Sequence, residues 1–262
     1  MPAKAKSKKG APAAAAAAAP QNPVLQTARP DWPKFEPLPP TSDLALTSLL
    51  EDQIVTISGL WTSTLCKKYV SFLANLPLVT TPGKPKKGDA VRVNDRFQID
   101  DAAFARMLWE QSGLQDLVLH GDVDGEPLSP DQRAKLWGGE VLGLNPNIRI
   151  YRYSKGQFFD QHYDDSNNLL FPSPTGSIPA KTTWTLLLYL TSPATGCEGG
   201  ETVFYPEAPK RSRAPPPQPV IASLETGLAL FHRHGRDCML HEGKEVTEGE
   251  KWVIRSDLCV RR

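Results

Sequence analysis

The sequence predicts a mainly β fold, either a sandwich, a jelly roll or a small barrel, with helices on its N-terminal side. From Asn147 onward, six short β-rich runs alternate with glycine and proline clusters, whereas three helical patterns precede them. Short strands joined by turns are typical of sandwiches and barrels rather than of doubly wound parallel sheets. A chain of 262 residues with 40% apolar residues can build one full core and at most a small appendage.

The chain is predicted to divide into three regions. Residues 1–40 are rich in Ala, Pro and Lys, a composition that cannot bury enough apolar surface to offset the entropy of ordering. They are therefore predicted to be a disordered tail, followed by a helical and β support region over residues 41–145 and a β-rich core over residues 146–262. The lysines of the tail are interpreted as solvated, with a nuclear-import or nucleic-acid contact as the alternative. They are Lys4, Lys6, Lys8 and Lys9.

The charge balance excludes a general binder of nucleic acid or of anionic membranes. Thirty basic and 29 acidic side chains leave a formal net charge of +1, so nucleic acid is not an expected partner except through the basic tail. No run approaches the roughly 18 apolar residues of a membrane span, and no membrane partner is expected. The four cysteines are far apart and include no Cys-x-x-Cys pair, which favours a reduced compartment, cytoplasmic or nuclear.

Helices are predicted from apolar residues at helical spacing and from the capping residues that flank them. An apolar face of this kind packs on a sheet, so we expect the helices to be scaffold rather than site. The third helix has proline at its first position and the spelling of a capping box. The predicted helices begin at Thr62 or Ser63, span Asp101–Gln111 with Gly113 as the stop, and run from Ser129-Pro130-Asp131-Gln132 to Gly138-Gly139.

Strands are predicted where β-branched and aromatic runs lie between turn residues. Two connections between them, residues 166–181 and 206–219, are long and rich in Pro and Ser. Loops of this length are usually functional covers or disorder, and the first is the candidate lid. The predicted strands are Ile54–Ile57, Ile148–Tyr153, Thr182–Leu190, Thr202–Tyr205, Val220–Ile221, Leu228–Phe231 and Lys251–Val260.

The segment that ends in His162-Tyr163-Asp164 offers a metal site. Residues two apart on a strand project to the same side, so His162 and Asp164 aim at one point. A metal needs a third ligand, and His241 is the best-placed remaining histidine. Two histidines and one carboxylate on one face of an ion leave positions free for an oxidisable co-substrate and dioxygen, as in non-heme Fe(II) oxygenases. Zinc on the same ligands would favour hydrolysis instead.

A second charged pattern follows ten residues after His241. Strand alternation puts Lys251 and Arg255 on one face and Trp252 on the other. A cation inside a barrel is unfavourable unless an anion pairs with it. A dicarboxylic co-substrate that chelates the metal with one end would present its other carboxylate to this cation.

The pair His232 and His234 is a competing ligand set. Both side chains lie on one face of a strand, and cupin metal sites also use His-x-His. That pattern needs a glutamate a few residues later, where this chain has Cys238 and Met239. We therefore interpret the two histidines as loop residues or substrate contacts near the pocket mouth.

Four ordered motifs resemble the prolyl 4-hydroxylase type of Fe(II)/2-oxoglutarate dioxygenase. They extend over about 115 residues, in the order that the family shows. The one departure is Phe159, where the family often has tyrosine. The motifs are Tyr153-x-x-Gly-Gln-x-aromatic-x-x-His162-x-Asp164, Thr185-x-Leu-x-Tyr-Leu190, Gly199-Gly-Glu-Thr-x-Phe204, and His241 followed ten residues later by Lys251.

The resemblance implies a fold, cofactors and roles for residues. The fold would be a double-stranded β-helix, the jelly-roll form of the mainly β class, with the N-terminal helices flanking it. Iron would be held by His162, Asp164 and His241. Lys251 would hold the distal carboxylate of 2-oxoglutarate, Tyr153 or Thr185 could add a hydrogen bond to it, and Arg255 is the alternative anchor.

The implied activity is hydroxylation of a C–H bond, with Fe(II), 2-oxoglutarate and possible use of ascorbate, molecular oxygen as co-substrate, and succinate and CO2 as products. A prolyl residue in a protein is the leading substrate. The same fold also oxidises amino acids, nucleobases and small metabolites, so a small-molecule substrate stays open. A catalytically silent β-helix that only binds a partner is the remaining alternative.

Overall fold

A computed structural model describes residues 29–81, 90–207 and 217–262. Four helices lie in the first half of this part of the chain. A side-chain cap begins three of them, because the Thr62, Asp101 and Ser129 oxygens accept backbone N–H groups of the first turn. No helix among the described residues is long and apolar enough to cross a membrane. The helices are α1 (Ser63–Leu73), α2 (Ala102–Gln111), α3 (Leu114–His120) and α4 (Pro130–Trp137).

Strands dominate the rest, and every pair of named strands that is hydrogen-bonded is antiparallel. The strands are β1 (Thr47–Leu50), β2 (Ile54–Ile57), β3 (Val79–Thr80), β4 (Arg92–Val93), β5 (Asp95–Asp100), β6 (Val141–Leu144), β7 (Asn147–Ser154), β8 (Phe158–His162), β9 (Asn168–Ser173), β10 (Gly176–Tyr189), β11 (Glu198–Gly199), β12 (Thr202–Tyr205), β13 (Val220–Ala222), β14 (Ala229–Arg233), β15 (Leu240–Gly243), β16 (Val246–Glu248) and β17 (Glu250–Arg261).

Two sheets face each other and confirm the predicted mainly β class. The major sheet has the order β1-β2-β14-β10-β17-β7-β5-β3, with β6 on β17 and β9 on β10, and the minor sheet has the order β13-β12-β15-β8-β4. Their inner faces share one apolar cluster that joins Tyr151 and Val253 of the major sheet to Phe204 and Ala222 of the minor sheet. This two-sheet arrangement is the jelly-roll form that the motifs implied.

The outer face of the major sheet carries the larger core. Alternate residues of its strands, such as Ile150 on β7 and Trp252 and Ile254 on β17, pack against the helices. The inner face receives the intervening residues, which include Lys251 and Arg255. The alternation predicted for this strand is therefore present, and the helices lie on the side away from the cavity.

The predicted tail boundary at residue 40 is wrong. Trp32 and Phe35 are buried in the helix-side core, and Trp32 donates its indole N–H to Asp101 at 2.8 Å. Two large aromatic rings bring enough apolar area to order a proline-rich segment that composition alone assigned to a tail. The lysine cluster at residues 4–9 lies outside the described residues.

The long loop predicted over residues 166–181 is wrong as well, because β9 and the start of β10 form a β-hairpin there. Pro172 is tolerated because β9 is an edge strand, paired only with β10. Within the second predicted loop, residues 208–216 lie outside the described part of the chain. Helix α3 was not predicted, since Gly113, taken as the stop of α2, is at φ +84° the N-cap of α3.

Candidate metal centre

Strands β8 and β15 lie side by side in the minor sheet and carry two of the three predicted ligands. Their register places His241 directly opposite His162. Residues opposite each other on neighbouring strands point to the same face, and the two imidazole centroids are 4.2 Å apart. Asp164 follows the end of β8 by two residues. The structure thus brings together side chains that are 77 positions apart in sequence.

The ligand atoms of the three residues converge. The Nε2 atom of His162 lies 3.7 Å from Oδ1 of Asp164, and Nε2 of His241 lies 3.9 Å from Oδ2 of the same carboxylate. One ligand atom from each residue lies within 4.8 Å of the other two. Ligand atoms of one metal ion are separated by about 3 to 4 Å, so small side-chain adjustments suffice to bring the three onto an ion.

Backbone carbonyls orient both imidazoles. The Nδ1 atom of His162 lies 2.8 Å from the carbonyl oxygen of Asp160, and Nδ1 of His241 lies 2.9 Å from that of Met239. A carbonyl can only accept, so each Nδ1 carries the proton and each Nε2 keeps its lone pair. The free lone pairs point towards Asp164, as a metal site requires.

The protonation states of the three groups suit a cation. Burial, and after it the nearby His241, lowers the pKa of His162 to about 4, and burial also lowers the pKa of His241. Burial by itself would raise the pKa of Asp164, but Arg255 and then the neighbouring histidines hold it well below its usual range. Near pH 7 the cluster offers two neutral nitrogens and one carboxylate anion.

This donor set fits Fe(II). Two imidazole nitrogens and one carboxylate form the facial triad of non-heme iron oxygenases, which leaves three coordination positions for other ligands. A cavity between the two sheets adjoins the cluster, and Tyr153, Leu187, Lys251 and Val253 line it. The residues therefore fit an iron ion together with an organic co-substrate.

Residues 148–256 match the family model described as the 2OG-Fe(II) oxygenase superfamily. This segment makes up about two fifths of the chain. The protein is a 2-oxoglutarate-dependent dioxygenase with Fe(II) and 2-oxoglutarate as cofactors and molecular oxygen as co-substrate, which confirms the resemblance carried by the motifs. The matched segment extends from β7 into β17 and contains the three converging residues and Lys251.

Three solved structures have a similar architecture. A prolyl hydroxylase from Trichoplax adhaerens, in complex with a hypoxia inducible factor oxygen degradation domain peptide fragment, is 16% identical with a TM-score of 0.50, over 79% of this chain and 84% of that chain. A prolyl-4-hydroxylase from Pseudomonas putida is 12% identical with a TM-score of 0.49, over 80% and 94%. The viral collagen prolyl hydroxylase of Paramecium Bursaria Chlorella virus-1, as its 2OG complex, is 15% identical with a TM-score of 0.47, over 79% and 96%.

At these identities the structural similarity concerns the fold, and the Trichoplax structure supports the double-stranded β-helix. No curated protein matches the oxygenase by sequence.

Arg255 and Thr185 surround Asp164 in the oxygenase. The Arg255 guanidinium lies 2.9 Å from Oδ2 of Asp164, and the Thr185 hydroxyl donates to the same oxygen at 2.9 Å. His234 in turn contacts the Thr185 hydroxyl at 2.9 Å and that of Thr182 at 2.8 Å. Arg255 and Thr185 therefore both donate to the buried carboxylate, and His234 holds the Thr185 hydroxyl in place. His234 follows the end of β14 and is buried, so it supports Asp164 through Thr185 and does not lie at the pocket mouth.

Lys251 has a different environment, although it lies on the same strand face. It is 5% exposed, its ammonium donates to the carbonyl oxygen of Gly200 at 2.6 Å, and the rings of Tyr153 and Tyr189 flank it at 5.7 and 5.1 Å. Burial lowers its pKa to about 8. No carboxylate among the described residues lies within 4.0 Å of its ammonium.

Gly199 and Gly200 allow the chain to pass closely beneath this cation. Both have positive φ angles, +71° and +77°. A Cβ atom on Gly199 would lie 2.4 Å from the carbonyl oxygen of Glu245, and one on Gly200 would lie 3.2 Å from Cδ of Lys251. The glycines thus allow the Gly200 carbonyl to reach the ammonium.

His232 is the residue that sequence reasoning misplaced. It lies on β14, is 2% exposed, and its Nε2 points at Oδ2 of Asp164 from 3.7 Å. Its ring centroid is 4.5 Å from that of His241. The interpretation as a loop residue at the pocket mouth is therefore wrong. The alternation of β14 was a usable signal, because His232 shares its inner face with Leu230.

A larger concavity of about 400 Å³ lies elsewhere, between α3, α4 and the loop before β6. It is lined by the apolar residues Leu119, Leu128, Trp137 and Val141 and by the charged residues Arg133 and Glu140. It contains none of the converging residues. The three converging residues line the smaller cavity between the sheets instead.

Proposed function

We propose that this oxygenase hydroxylates a C–H bond of a prolyl residue in a protein, with His162, Asp164 and His241 holding the iron and Lys251 holding the distal carboxylate of 2-oxoglutarate. The observation that carries the proposal is the geometry of one cavity. Three convergent ligand atoms and a buried cation without a carboxylate partner line the same space. Iron with 2-oxoglutarate and dioxygen supplies the oxidation, in which C–H becomes C–OH and 2-oxoglutarate becomes succinate and CO2.

The residues of the chain prepare the ligands. The carbonyl oxygens of Asp160 and Met239 hold the imidazole protons on Nδ1, so Nε2 stays free at neutral pH. Arg255 keeps Asp164 ionised, and the hydroxyl of Thr185 fixes one of its oxygens. These contacts are all made within the protein, so the side chains that would bind the metal need little reorganisation.

Lys251 rather than Arg255 suits the co-substrate carboxylate. Arg255 already pairs with Asp164 at 2.9 Å and lies 3.6 Å from Asp257. Lys251 has only a neutral carbonyl partner and two aromatic faces. A buried ammonium is stabilised most by an anion that replaces its lost hydration, and a carboxylate end of 2-oxoglutarate provides one. Tyr153 lines the same cavity and supplies a hydroxyl, whereas Thr185 is engaged with Asp164.

Three features support a protein substrate. The motif resemblance is to the prolyl 4-hydroxylase type, and the Trichoplax structure of similar fold is a complex with a peptide fragment. Tyr163, between the proposed ligands His162 and Asp164, is 54% exposed, and an exposed aromatic ring beside a catalytic cavity is a good contact for a peptide chain. A small metabolite or a nucleobase is the alternative substrate.

The test combines turnover with identification of the product. Purified full-length protein is incubated with Fe(II), ascorbate, labelled 2-oxoglutarate and a cell extract, and labelled succinate is measured. We expect succinate formation and, in peptide mass spectrometry, a gain of one oxygen on a proline-containing peptide. His162→Ala should reduce succinate to background, whereas the matched control His120→Ala, outside the cavity, should retain it.

Three results would change the proposal. Oxygen gained by a metabolite or nucleobase would replace the prolyl substrate. Folded, iron-loaded protein that forms no succinate with any extract would favour a binding module. Full activity of His162→Ala would refute the ligand assignment.

A further inference from the structure

A second group of metal-binding side chains lies in the same cavity. One ligand atom from each of His232, Cys238 and His241 lies within 4.8 Å of the other two. The group shares His241 with the proposed iron ligands but replaces His162 and Asp164 by an imidazole and a thiol. Nothing in the proposed oxygenase reaction uses His232 or Cys238.

Cys238 lies where the chain leaves a 3₁₀ turn (Gly235–Asp237) and enters β15. Its sulfur lies within 4.8 Å of a ligand nitrogen of each histidine and accepts the backbone N–H of Asp164 at 3.2 Å. The residue is half-buried, so solvent can reach its side chain. A sulfur held against two imidazoles in this way can join them on one ion.

His232 is a buried residue of this group whose position the proposed reaction does not explain. Its ring is buried, edge-on to Phe204 at 5.3 Å, and only its Nδ1 has a hydrogen-bond partner among the described residues, the carbonyl oxygen of Arg233 at 3.2 Å. That contact leaves the Nε2 lone pair directed into the cavity. A buried imidazole nitrogen without a donor is unfavourable unless a ligand engages it.

We propose that His232, Cys238 and His241 form an alternative zinc site, which excludes iron from the oxygenase centre because the two sites share His241. The donor types favour zinc. A thiolate is a soft ligand that selects zinc over Fe(II), and zinc sites in proteins commonly combine histidine nitrogens with cysteine sulfur. Zinc binding displaces the thiol proton to solvent, so the ion is held by one anionic sulfur and two neutral nitrogens.

The geometry requires only small movements. Zinc–sulfur bonds of about 2.3 Å and zinc–nitrogen bonds of about 2.0 Å place tetrahedral ligand atoms about 3.5 Å apart. Ligand atoms that lie no more than 4.8 Å apart therefore need to approach one another by little more than about an ångström. Cys238 can supply this movement, since it lies in the short connection between the 3₁₀ turn and β15.

Cobalt(II) substitution of the full-length protein tests the site directly, because a cobalt–thiolate bond has a strong charge-transfer absorption in the near ultraviolet. We expect this band in the wild type and in His162→Ala, and its loss in Cys238→Ala. The matched control Cys66→Ala removes a buried thiol of α1 and should keep the band. A wild type without the band, or a band that persists in Cys238→Ala, would overturn the proposal.

Zinc affinity, measured by competition with a chromophoric chelator, gives the second readout. Cys238→Ala and His232→Ala should each weaken zinc binding at least about tenfold, while His162→Ala should leave it within about threefold. If His232→Ala weakens Fe(II) binding as much as zinc binding, His232 belongs to the iron ligands and the alternative site is refuted. Circular dichroism of each variant checks that it is folded.

The exclusion of iron rests on the proposed function and is tested separately. Under anaerobic conditions, zinc should abolish the visible absorption of the Fe(II)–2-oxoglutarate complex at lower concentration in the wild type than in Cys238→Ala. Absence of that absorption from every variant would count against the proposed iron site, whereas the cobalt band would still decide the zinc site.

Discussion

On one face of β17, Trp252 and Ile254 pack against the helices, whereas on the other face Lys251 and Arg255 point into the cavity between the sheets. On the outer face both side chains pack into the apolar core, and the indole N–H of Trp252 donates to Glu250 at 2.9 Å. On the inner face, Arg255 has a carboxylate partner and Lys251 has a carbonyl oxygen and two aromatic rings. The same strand therefore supplies stability on one side and a binding site on the other.

Burial has opposite effects on the stability of the fold on the two faces of β17. A buried tryptophan is stabilising without any ligand. A buried ammonium whose pKa has fallen to about 8 destabilises the unliganded fold, because its charged form has lost hydration. Stability and co-substrate binding should therefore respond in opposite ways to substitutions one residue apart.

The largest effect is expected on the outer face. Trp252→Ala should lower the free energy of unfolding by about 3–5 kcal/mol, because it removes a fully buried indole and leaves a cavity. Urea unfolding followed by fluorescence or circular dichroism measures this loss. The affinity of the folded fraction for 2-oxoglutarate should change less than threefold. A large loss of affinity with unchanged stability would show that the two faces are not separable.

Lys251→Met is expected to act in the opposite direction. Loss of the charged partner should weaken binding of 2-oxoglutarate to the Fe(II)-loaded protein by about two orders of magnitude, as for other desolvated charge pairs. The same substitution should raise the urea midpoint of the unliganded protein, because it removes a buried charge. Isothermal titration calorimetry and urea unfolding measure the two effects. Glu250→Gln, at the exposed neighbouring position, is the control; unchanged affinity in Lys251→Met would reassign the anchor.

The pH dependence follows from the lowered pKa of Lys251. Affinity for 2-oxoglutarate should be constant below about pH 8 and then fall about tenfold per unit as the ammonium loses its proton. In the unliganded protein, the unfolded chain binds this proton more tightly than the folded chain does. The contribution of Lys251 to stability should therefore rise with pH from about 8 towards the ordinary lysine value. Lys251→Met should lack both dependences.

The smallest effect is expected at the exposed end of the same strand. Arg261 pairs with Glu140 at 2.7 Å, but both side chains are solvated. Exposed ion pairs often make no measurable contribution to stability. Arg261→Gln should leave the urea midpoint and the affinity for 2-oxoglutarate unchanged, and a clear shift in either would show that this end of β17 couples to the cavity.

Local signals in the sequence were sufficient for most of the fold. The capping residues located α1, α2 and α4, and alternation located the long strands, since both signals operate within a few residues. The hairpin at residues 168–189 and the packing of Trp32 were missed. The packing of Trp32 depends on a partner 69 positions away, Asp101, which the composition of the segment does not show. The hairpin is local, but its proline and serine content resembles that of a loop.

The residues of the site also fall into those that the sequence predicts and those that only the structure shows. The ligand types His162, Asp164 and His241 could be proposed from motifs, because the spacing within each motif is short. The contact of Arg255 with Asp164 could not, since it joins residues 91 positions apart. The position of His232 depends on the register of β14 against β10, where it lies opposite Thr185.

By itself, the sequence determined which side of each strand is polar, because successive side chains of any strand point to opposite faces. It also determined the chemical types available to a metal, because these are the residues themselves. Only the tertiary structure decided that Arg255 forms an ion pair with Asp164 and that His232 points into the cavity. It also decided that the Lys251 ammonium contacts a backbone carbonyl and no carboxylate among the described residues. Those outcomes depend on the register between strands that are distant in sequence. That register is set by the packing of the whole molecule and not by any single segment.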